Sequence, residues 1–262
     1  MSRSVADLPG GWGSSPYLLV AHGTSVVRGS WQGEDAVVVA LEGRRGGIGL
    51  VGLGAPSGVA RLLGGAADAL DDGGAGSWSD VRWATVPRGT WEAVEGGADR
   101  AFGGWTEPSA WDCMWTYEPL SDVRDREVER LDPQLAQVRA EVAATLARAH
   151  PSASTSPDDP RLLGWWGARV DGELVAVVGA MRYAPGLAPH LVSLGVDPDH
   201  RGRGLAGAVL AAAVRDGLAE GTDVGRPAVW LGLYASNDVA RRVYLRHGLE
   251  LGHEFASRNA PV

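Results

Sequence analysis

The sequence contains no lysine, and all 24 of its basic residues are arginine. A chain without lysine has no side-chain amine for a Schiff base and no P-loop lysine, so both of these chemistries are excluded. Cysteine is nearly absent too. The single cysteine, Cys113, forms no internal disulfide and cannot build a zinc site alone, so we expect a small buried hydrophobic side chain and no bound metal.

Long apolar runs are also missing. No stretch approaches the roughly 18 uninterrupted apolar residues of a membrane span. The first residues, MSRSVADLPGGWGSS, lack the charged-then-apolar pattern of a signal peptide, which predicts a cytoplasmic protein with no membrane partner. The net charge of −8 argues against a nucleic-acid partner.

Short strand patterns dominate the first half of the 262 residues. YLLVAHG (17–23), SVVRGSW (25–31) and DAVVVALEG (35–43) are apolar or alternating runs broken by Gly, Asp and Ser, and they predict strands. APSGVARLLGGAADAL (55–70) has apolar residues at helical spacing and predicts a helix.

The second half is more regular. Residues 132–150 predict a helix with Pro133 in its first turn, and Asp171-Gly172 predicts a hairpin turn. Strand, helix, strand, helix and strand patterns then follow from residue 190 to residue 255. The whole pattern predicts an α/β (α+β) protein.

One glycine-rich segment resembles a dinucleotide-binding fingerprint. GIGLVG (47–52) has the glycine spacing, but that mechanism needs the glycines at a turn between a strand and a helix. Here Ile48, Leu50 and Val51 themselves predict a strand, and no acidic residue follows at a suitable distance. We therefore interpret the segment as a glycine-rich strand.

DPDHRGRGLAGAVL (197–210) has the pattern of an anion-binding turn. A strand ends at Val196, and Gly202 and Gly204 permit a close approach of the backbone to a ligand. The helix that follows offers unpaired N–H groups and the positive end of its dipole, and arginines lie between the glycines. Taken alone, the segment is also compatible with a solvated surface turn before an amphipathic helix.

The neighbouring segments narrow this choice. RGRGLA (201–206) resembles the Q/R-x-x-G-x-G/A signature of the GNAT superfamily of acetyl-CoA-dependent N-acyltransferases, and the strand before it resembles that family's fourth strand. LGLYASNDVARRVYLRHGLELGHEF resembles the family's fifth strand, short helix and next strand, with Asn237 and Tyr244 seven residues apart as in the family pattern. The resemblance covers roughly residues 112–258.

The resemblance implies roles for particular residues. Acetyl-CoA is the implied cosubstrate, and Tyr244 would protonate the departing thiolate, since an ordinary tyrosine pKa of about 10 lies near that of an alkyl thiol. Asn237 would contact the cofactor. The backbone of Leu194, Gly195 and Val196 would pair with the pantetheine arm, and the implied pyrophosphate cradle consists of Arg201, Gly202, Arg203, Gly204, Leu205, Ala206 and Gly207.

The base that removes a proton from the acceptor amine is less defined. Some family members carry a glutamate at the start of the fourth strand, and this chain has His190 there. A histidine with a pKa near 6.5 can serve as a base at neutral pH. A half-buried histidine without a catalytic part and deprotonation through ordered water are the alternatives.

The implied architecture has two domains. Residues 111–262 would form a GNAT catalytic domain with a mixed central sheet flanked by helices, and residues 1–110 a smaller α/β domain of degenerate GNAT topology that shapes the acceptor site. LVGLGAPSGVARLL (50–63) has a similar strand-to-helix connection, but Ala55-Pro56-Ser57 replaces the arginines, which argues against a second cofactor site.

We expect an N-acetyltransferase that acts on a primary amine of a small molecule, as a monomer or homodimer. Two alternatives stay open at this point. One is a non-catalytic acetyl-CoA sensor, and the other is a protein N-terminal or lysine acetyltransferase.

Overall fold

The computed structural model describes residues 3–44, 46–71, 77–94, 101–121, 123 and 126–261. The chain divides into two compact units. One consists of Met1–Cys113, Tyr234–Ser236 and Gly252–Val262, and the other of Met114–Leu233 and Asn237–Leu251. Each unit combines strands with helices, which confirms the predicted fold class.

The first unit contains a mixed sheet with the strand order β1-β2-β3-β4-β5-β12. Strands β4 and β5 are parallel, and the other neighbours are antiparallel. The elements are β1 (Arg3–Ser4), α1 (Pro16–His22), β2 (Val26–Gln32), β3 (Ala36–Glu42), β4 (Ile48–Gly54), α2 (Pro56–Asp71), β5 (Val81–Pro87) and β12 (Glu250–Asn259).

The second unit has the strand order β11-β10-β9-β8-β7, in which β10 and β11 are parallel and the other neighbours antiparallel. Strand β6 (Ser109–Thr116) contributes residues to each unit. The remaining elements are β7 (Glu129–Leu131), α3 (Ala136–Ala149), β8 (Leu162–Val170), β9 (Glu173–Met181), β10 (His190–Val196), α4 (Leu205–Glu220), β11 (Val229–Tyr234) and α5 (Asp238–Arg246).

The two units repeat one topology. In each, three antiparallel strands are followed by a helix and by a strand that returns parallel to the third: β2-β3-β4-α2-β5 in the first and β8-β9-β10-α4-β11 in the second. The first unit thus has the strand and helix order of the second, and the division into a degenerate domain over 1–110 and a catalytic domain over 111–262 stays a prediction.

The second unit packs helices on both faces of its sheet. Val209 and Val214 of α4 lie in one buried cluster with Val175 and Val178 of β9, whereas Val142 of α3 lies in another cluster. That other cluster contains Leu174 and Val177 of the same strand. The continuous apolar run of β9 follows from this arrangement, since a strand covered on both faces needs apolar residues on both.

Two sequence predictions were wrong in detail. Residues 17–23, predicted as a strand, form helix α1, because a short apolar run fits either structure and Pro16 occupies the first helical turn. The helix predicted over 132–150 begins at Ala136, since Pro133 lies in a turn closed by a bond from the Gln134 N–H to Asp132 Oδ1.

The glycine-rich segment at 47–52 forms strand β4, as predicted. Its glycines make room for neighbours. A Cβ at Gly49 would lie 2.0 Å from the Trp83 indole, and a Cβ at Gly52 would lie 2.4 Å from Val59 Cγ1. Close packing of a tryptophan and of helix α2 on the strand therefore explains the glycine spacing.

Cys113 is fully buried, as expected, and burial raises the pKa of its thiol. No helix among the described residues is both long and apolar enough to span a membrane.

His22, the last residue of α1, is buried in an aromatic cluster of the first unit. Its Nε2 lies 3.3 Å from the Tyr17 hydroxyl, and its ring stacks on Trp83 with the centroids 5.8 Å apart. Desolvation, with a smaller contribution from the nearby Arg44 cation, lowers the pKa of His22 to about 3. The ring is therefore neutral in the folded protein at neutral and mildly acidic pH.

We predict that the free energy of unfolding falls as the pH drops below 6.5, because only the unfolded chain then protonates this imidazole. The contribution of His22 is about 1.4 kcal/mol per pH unit well below the unfolded pKa, and it ends near the folded pKa. Urea titrations between pH 4.5 and pH 7.5 measure the slope. His22→Phe should reduce it by about one proton, whereas Tyr17→Phe should leave it intact. Equal slopes for His22→Phe and the parent protein would contradict the prediction.

Candidate active site

The loop that joins β10 to α4 is anchored by Asp197. Arg148 of α3 donates from Nε to Asp197 Oδ2 at 2.7 Å, and the Asp197 N–H donates to the Val175 carbonyl of β9 at 2.8 Å. Asp197 Oδ1 also accepts the N–H of Asp199. The hydrogen bond from Arg148, followed by that from the Asp199 backbone, holds the pKa of Asp197 below its usual range. The carboxylate is therefore ionised and ties the loop to α3, while the backbone N–H of the same residue ties it to β9.

The loop ends in a backbone cradle at the start of α4. Gly202 and Gly204 have φ angles of +75° and +83°, which glycine adopts readily and other residues rarely adopt. Gly204 is the N-cap residue, and without a side chain it leaves the first-turn N–H groups of α4 available. A Cβ built at Gly202 would meet no atom within 4 Å, so the cradle is open. This arrangement can accept a phosphate or diphosphate anion.

The two arginines of this loop are exposed and contact backbone carbonyls. Arg201 donates to the carbonyls of Val196 and Ala149 at 3.2 and 3.3 Å, and Arg203 donates to the Asp199 carbonyl at 3.2 Å. Both guanidinium groups thus brace the loop and keep positive charge beside the cradle.

Strand β10 contains a bulge before the cradle. The register with β9 shifts between Val192 and Gly195, and Ser193 has a φ of +53°. Among the described residues, the registered pairs of β10 with β11 are His190 with Trp230 and Leu191 with Leu231. The pairing thus ends before Leu194, Gly195 and Val196, and the edge of β10 that faces β11 can pair with an extended ligand beside the cradle.

Helix α5 carries the other two implied cofactor residues. Asn237 caps the helix, since its Oδ1 accepts the Ala240 N–H at 3.1 Å. Tyr244 is buried in the core cluster that includes Leu205, the first residue of α4, and Leu231 of β11. Burial raises the pKa of Tyr244 to about 12, so the phenol keeps its proton throughout the physiological range.

His190 lies at the opposite end of β10 from the cradle, about 20 Å from Val196 at the rise of an extended strand. Its ring lies between two aromatic residues, with centroid distances of 4.1 Å to Trp230 and 5.0 Å to Tyr183. Tyr244, the cradle residues and His190 all belong to the second unit. His190 lies at the end of β10 that still pairs with β11, away from the cradle.

The corresponding connection in the first unit has no such loop. One residue, Ala55, joins β4 to α2, whereas eight residues (197–204) join β10 to α4. The Ala55 N–H donates to the Asp35 carbonyl at 3.1 Å, and a Cβ built at Gly58 in the first turn of α2 would lie 2.6 Å from Asp35 Oδ1. The chain's own carboxylate therefore lies against this helix start.

Three residues of the site were missed by the sequence reasoning. An aspartate before a proline is a turn signal, so Asp197 could have been found. Nothing in the sequence marks Arg148, which lies 49 residues before its carboxylate partner. Ser193 was also beyond reach, because its positive φ arises from the register of two paired strands.

Comparisons with known proteins agree with this geometry. Residues 135–249 match the model of the acetyltransferase (GNAT) family. These residues are a GNAT acetyltransferase domain. The match spans α3, the cradle and α5, and it supports an acyltransferase activity. No curated protein matches the chain.

Solved structures show the same fold. The chain is similar to an acetyltransferase described as GNAT from Novosphingobium aromaticivorans, with 23% identity, a TM-score of 0.50 and coverage of 80% of this chain and 82% of that one. It is also similar to a Drosophila protein, with 17% identity, a TM-score of 0.53 and coverage of 86% and 74%. A GNAT acetyltransferase from Colwellia psychrerythraea has 11% identity, a TM-score of 0.50 and coverage of 86% and 81%.

Among the described residues, no group of three His, Cys, Asp or Glu side chains is placed to hold a metal ion. That the protein works without a metal stays a prediction.

We predict that Gly204→Val weakens the binding of acetyl-CoA, the donor typical of GNAT proteins, by at least about tenfold, or about 1.4 kcal/mol. Valine disfavours the positive φ at this position and adds a side chain at the N-cap of α4, next to the first-turn N–H groups. Isothermal titration calorimetry with acetyl-CoA measures the change.

Gly221→Val is the matched control, because Gly221 has a φ of +68° and lies at the other end of the same helix. Gly204 has left-handed helical backbone angles, and Gly221, with a ψ of −172°, has an extended conformation that is also almost restricted to glycine. Both variants should lose stability by about 1–3 kcal/mol of backbone strain, and only Gly204→Val should lose affinity. Equal affinities of the two folded variants would contradict the assignment of the cradle.

Proposed function

We propose that this protein is an N-acetyltransferase that moves the acetyl group of acetyl-CoA to the primary amine of a small molecule. The observation that carries the proposal is one arrangement in the second unit. Strand β10, helix α4 and helix α5 bring three features together: an open backbone cradle, a strand edge that no longer pairs with β11, and a buried tyrosine.

The residues present fit the cofactor. A diphosphate needs several N–H donors and little steric hindrance, and the first turn of α4 behind Gly204 supplies both. The extended pantetheine arm needs a free strand edge, and Leu194 to Val196 supply one. In the first unit, the helix start that lies against Asp35 supports the prediction that no second cofactor binds there.

In the proposed reaction, the amine nitrogen attacks the thioester carbonyl, so that a C–N bond forms and the C–S bond breaks. Tyr244 donates its phenolic proton to the departing sulfur. With a pKa of about 12, this phenol stays a donor across the neutral range, so its titration sets no limb of the activity profile below about pH 10.

The acceptor must lose a proton before or during its attack. We propose His190 as the group that takes this proton, directly or through water. The acidic net charge of −8 is compatible with a cationic acceptor. The acceptor role of residues 1–110, the cytoplasmic location and a monomeric or dimeric state stay predictions.

We predict that Tyr244→Phe lowers turnover by about 10-fold to 10³-fold while acetyl-CoA affinity holds, because only the proton at the leaving sulfur is lost. An amine screen for thiol release from acetyl-CoA supplies the acceptor. Steady-state kinetics and calorimetry then compare the variant with Tyr117→Phe, the same change at a tyrosine beside Arg226 outside the site.

Turnover of Tyr244→Phe equal to that of the parent protein would make Tyr244 a packing residue. If the parent binds acetyl-CoA tightly and releases no thiol with any amine, the protein is a sensor and the proposed function fails.

For His190, we predict that both His190→Ala and His190→Phe lower turnover by about 10² and remove the acidic limb of the pH–rate profile. Phenylalanine keeps a ring between Trp230 and Tyr183 but cannot accept a proton. Full activity of His190→Phe beside a defective His190→Ala would show that His190 acts in packing, and water or the substrate would then handle the proton.

A further inference from the structure

His247, which follows α5, connects three parts of the second unit. Its Nδ1 lies 3.1 Å from the Ser121 carbonyl oxygen, and the Ser121 N–H donates to the His247 carbonyl at 3.2 Å. Because a carbonyl only accepts, Nδ1 carries the hydrogen in this bond. The ring is therefore held in one orientation and directs its Nε2 edge away from Ser121.

That edge rests on the cradle. A Cβ built at Gly207 would lie 2.6 Å from His247 Nε2 and 2.8 Å from Cε1, so the imidazole occupies the space that a side chain at 207 would need. Gly207 is the third residue of α4 and belongs to its first turn. The ring thus packs directly against the backbone that is assigned to the diphosphate.

The same histidine lies one turn beyond Tyr244. The two residues are three positions apart, which is about 4.5 Å along a helix axis. The His247 N–H donates to the Tyr244 carbonyl at 3.2 Å, and the Leu249 N–H donates to that carbonyl at 3.1 Å. A displacement of the imidazole against Gly207 therefore displaces the turn that carries Tyr244.

We propose that His247 is a positioning residue whose imidazole, packed on Gly207 and tied to Ser121, sets the distance between Tyr244 and the phosphate cradle. The inference rests on the proposed function, because it assigns the cradle to the donor's diphosphate and Tyr244 to its thioester. It explains why residue 207 is a glycine within a helix, where alanine is otherwise favoured.

The test is a double-mutant cycle of G207A, H247N and the double variant. Asparagine at position 247 has an amide nitrogen at the same position along the side chain as Nδ1, so it keeps the donor to Ser121 and removes the edge that touches Gly207. Alanine raises helix propensity, so a loss in G207A comes from the contact with the ring. Gly65→Ala in α2 is the matched control, since its Cβ meets no atom within 4 Å.

Two ligands separate positioning from general stability. ADP offers a diphosphate without a pantetheine arm, whereas acetyl-CoA offers both, and thermal melts report the fold. We expect H247N to bind ADP within about twofold of the parent, because the backbone of the cradle is unchanged. We expect kcat to fall about tenfold, because Tyr244 is no longer held at a fixed distance from the cradle.

For the cycle, we expect G207A to weaken acetyl-CoA binding about tenfold in the parent and less than about twofold in the H247N background, a coupling of at least about fivefold. Equal effects of G207A in both backgrounds would overturn the proposal. So would an H247N variant that loses ADP and acetyl-CoA affinity in parallel with its melting temperature, since that pattern describes a purely structural histidine.

The two proposals fail differently. If the parent binds acetyl-CoA but acetylates no amine, the proposed function fails, and the coupling in acetyl-CoA affinity still decides the role of His247. If the parent binds neither ADP nor acetyl-CoA, the cradle assignment falls and the positioning role falls with it.

Discussion

The candidate site depends on the hydrogen bonds that Asp197 makes. This residue accepts a hydrogen bond from Arg148 of α3 and another from the Asp199 N–H, while its own N–H bonds to Val175 of β9. These bonds fix the point where β10 ends and the loop begins. Without such an anchor, a glycine-rich loop of eight residues would sample many conformations, and the ordering entropy would oppose anion binding. The charge on Asp197 is also balanced locally, so it does not repel an anion in the cradle as an unpaired carboxylate would.

The two units share one topology but differ at the start of the helix that follows the third strand. Both place a helix after the third antiparallel strand, and a helix start is an anion-binding position in either. In the first unit the connection is a single residue, and Asp35 lies against the helix start. In the second, the longer loop and the glycine N-cap leave the helix start open. The difference between a closed and an open helix terminus therefore comes from one connection and not from the architecture.

Much of this could be read from local patterns. The RGRGLA motif, the turn at Asp171-Gly172 and the strand nature of 47–52 depend on residues close in sequence, and the structure contains the corresponding elements. The error at α1 has a physical cause. YLLVAHG is apolar and short, so its pattern fits a strand or a helix. In the structure it follows Pro16 as a helix, and Tyr17 and His22 pack against Phe255, Trp111 and Trp83. The amino-acid sequences of the two units also show no obvious repeat, because many different apolar sequences are compatible with the same strand order.

The sequence by itself determined the chemistry that is available: arginine without lysine, a single buried cysteine, and a glycine-arginine turn between a strand and a helix. Tertiary structure alone decided which groups meet. The bulge at Ser193, the pairing of Arg148 with Asp197 and the contact of His247 with Gly207 join residues up to 49 positions apart. Such contacts depend on strand register and on helices packed across a sheet. No window of neighbouring residues encodes these distances, because they result from the packing of the whole unit.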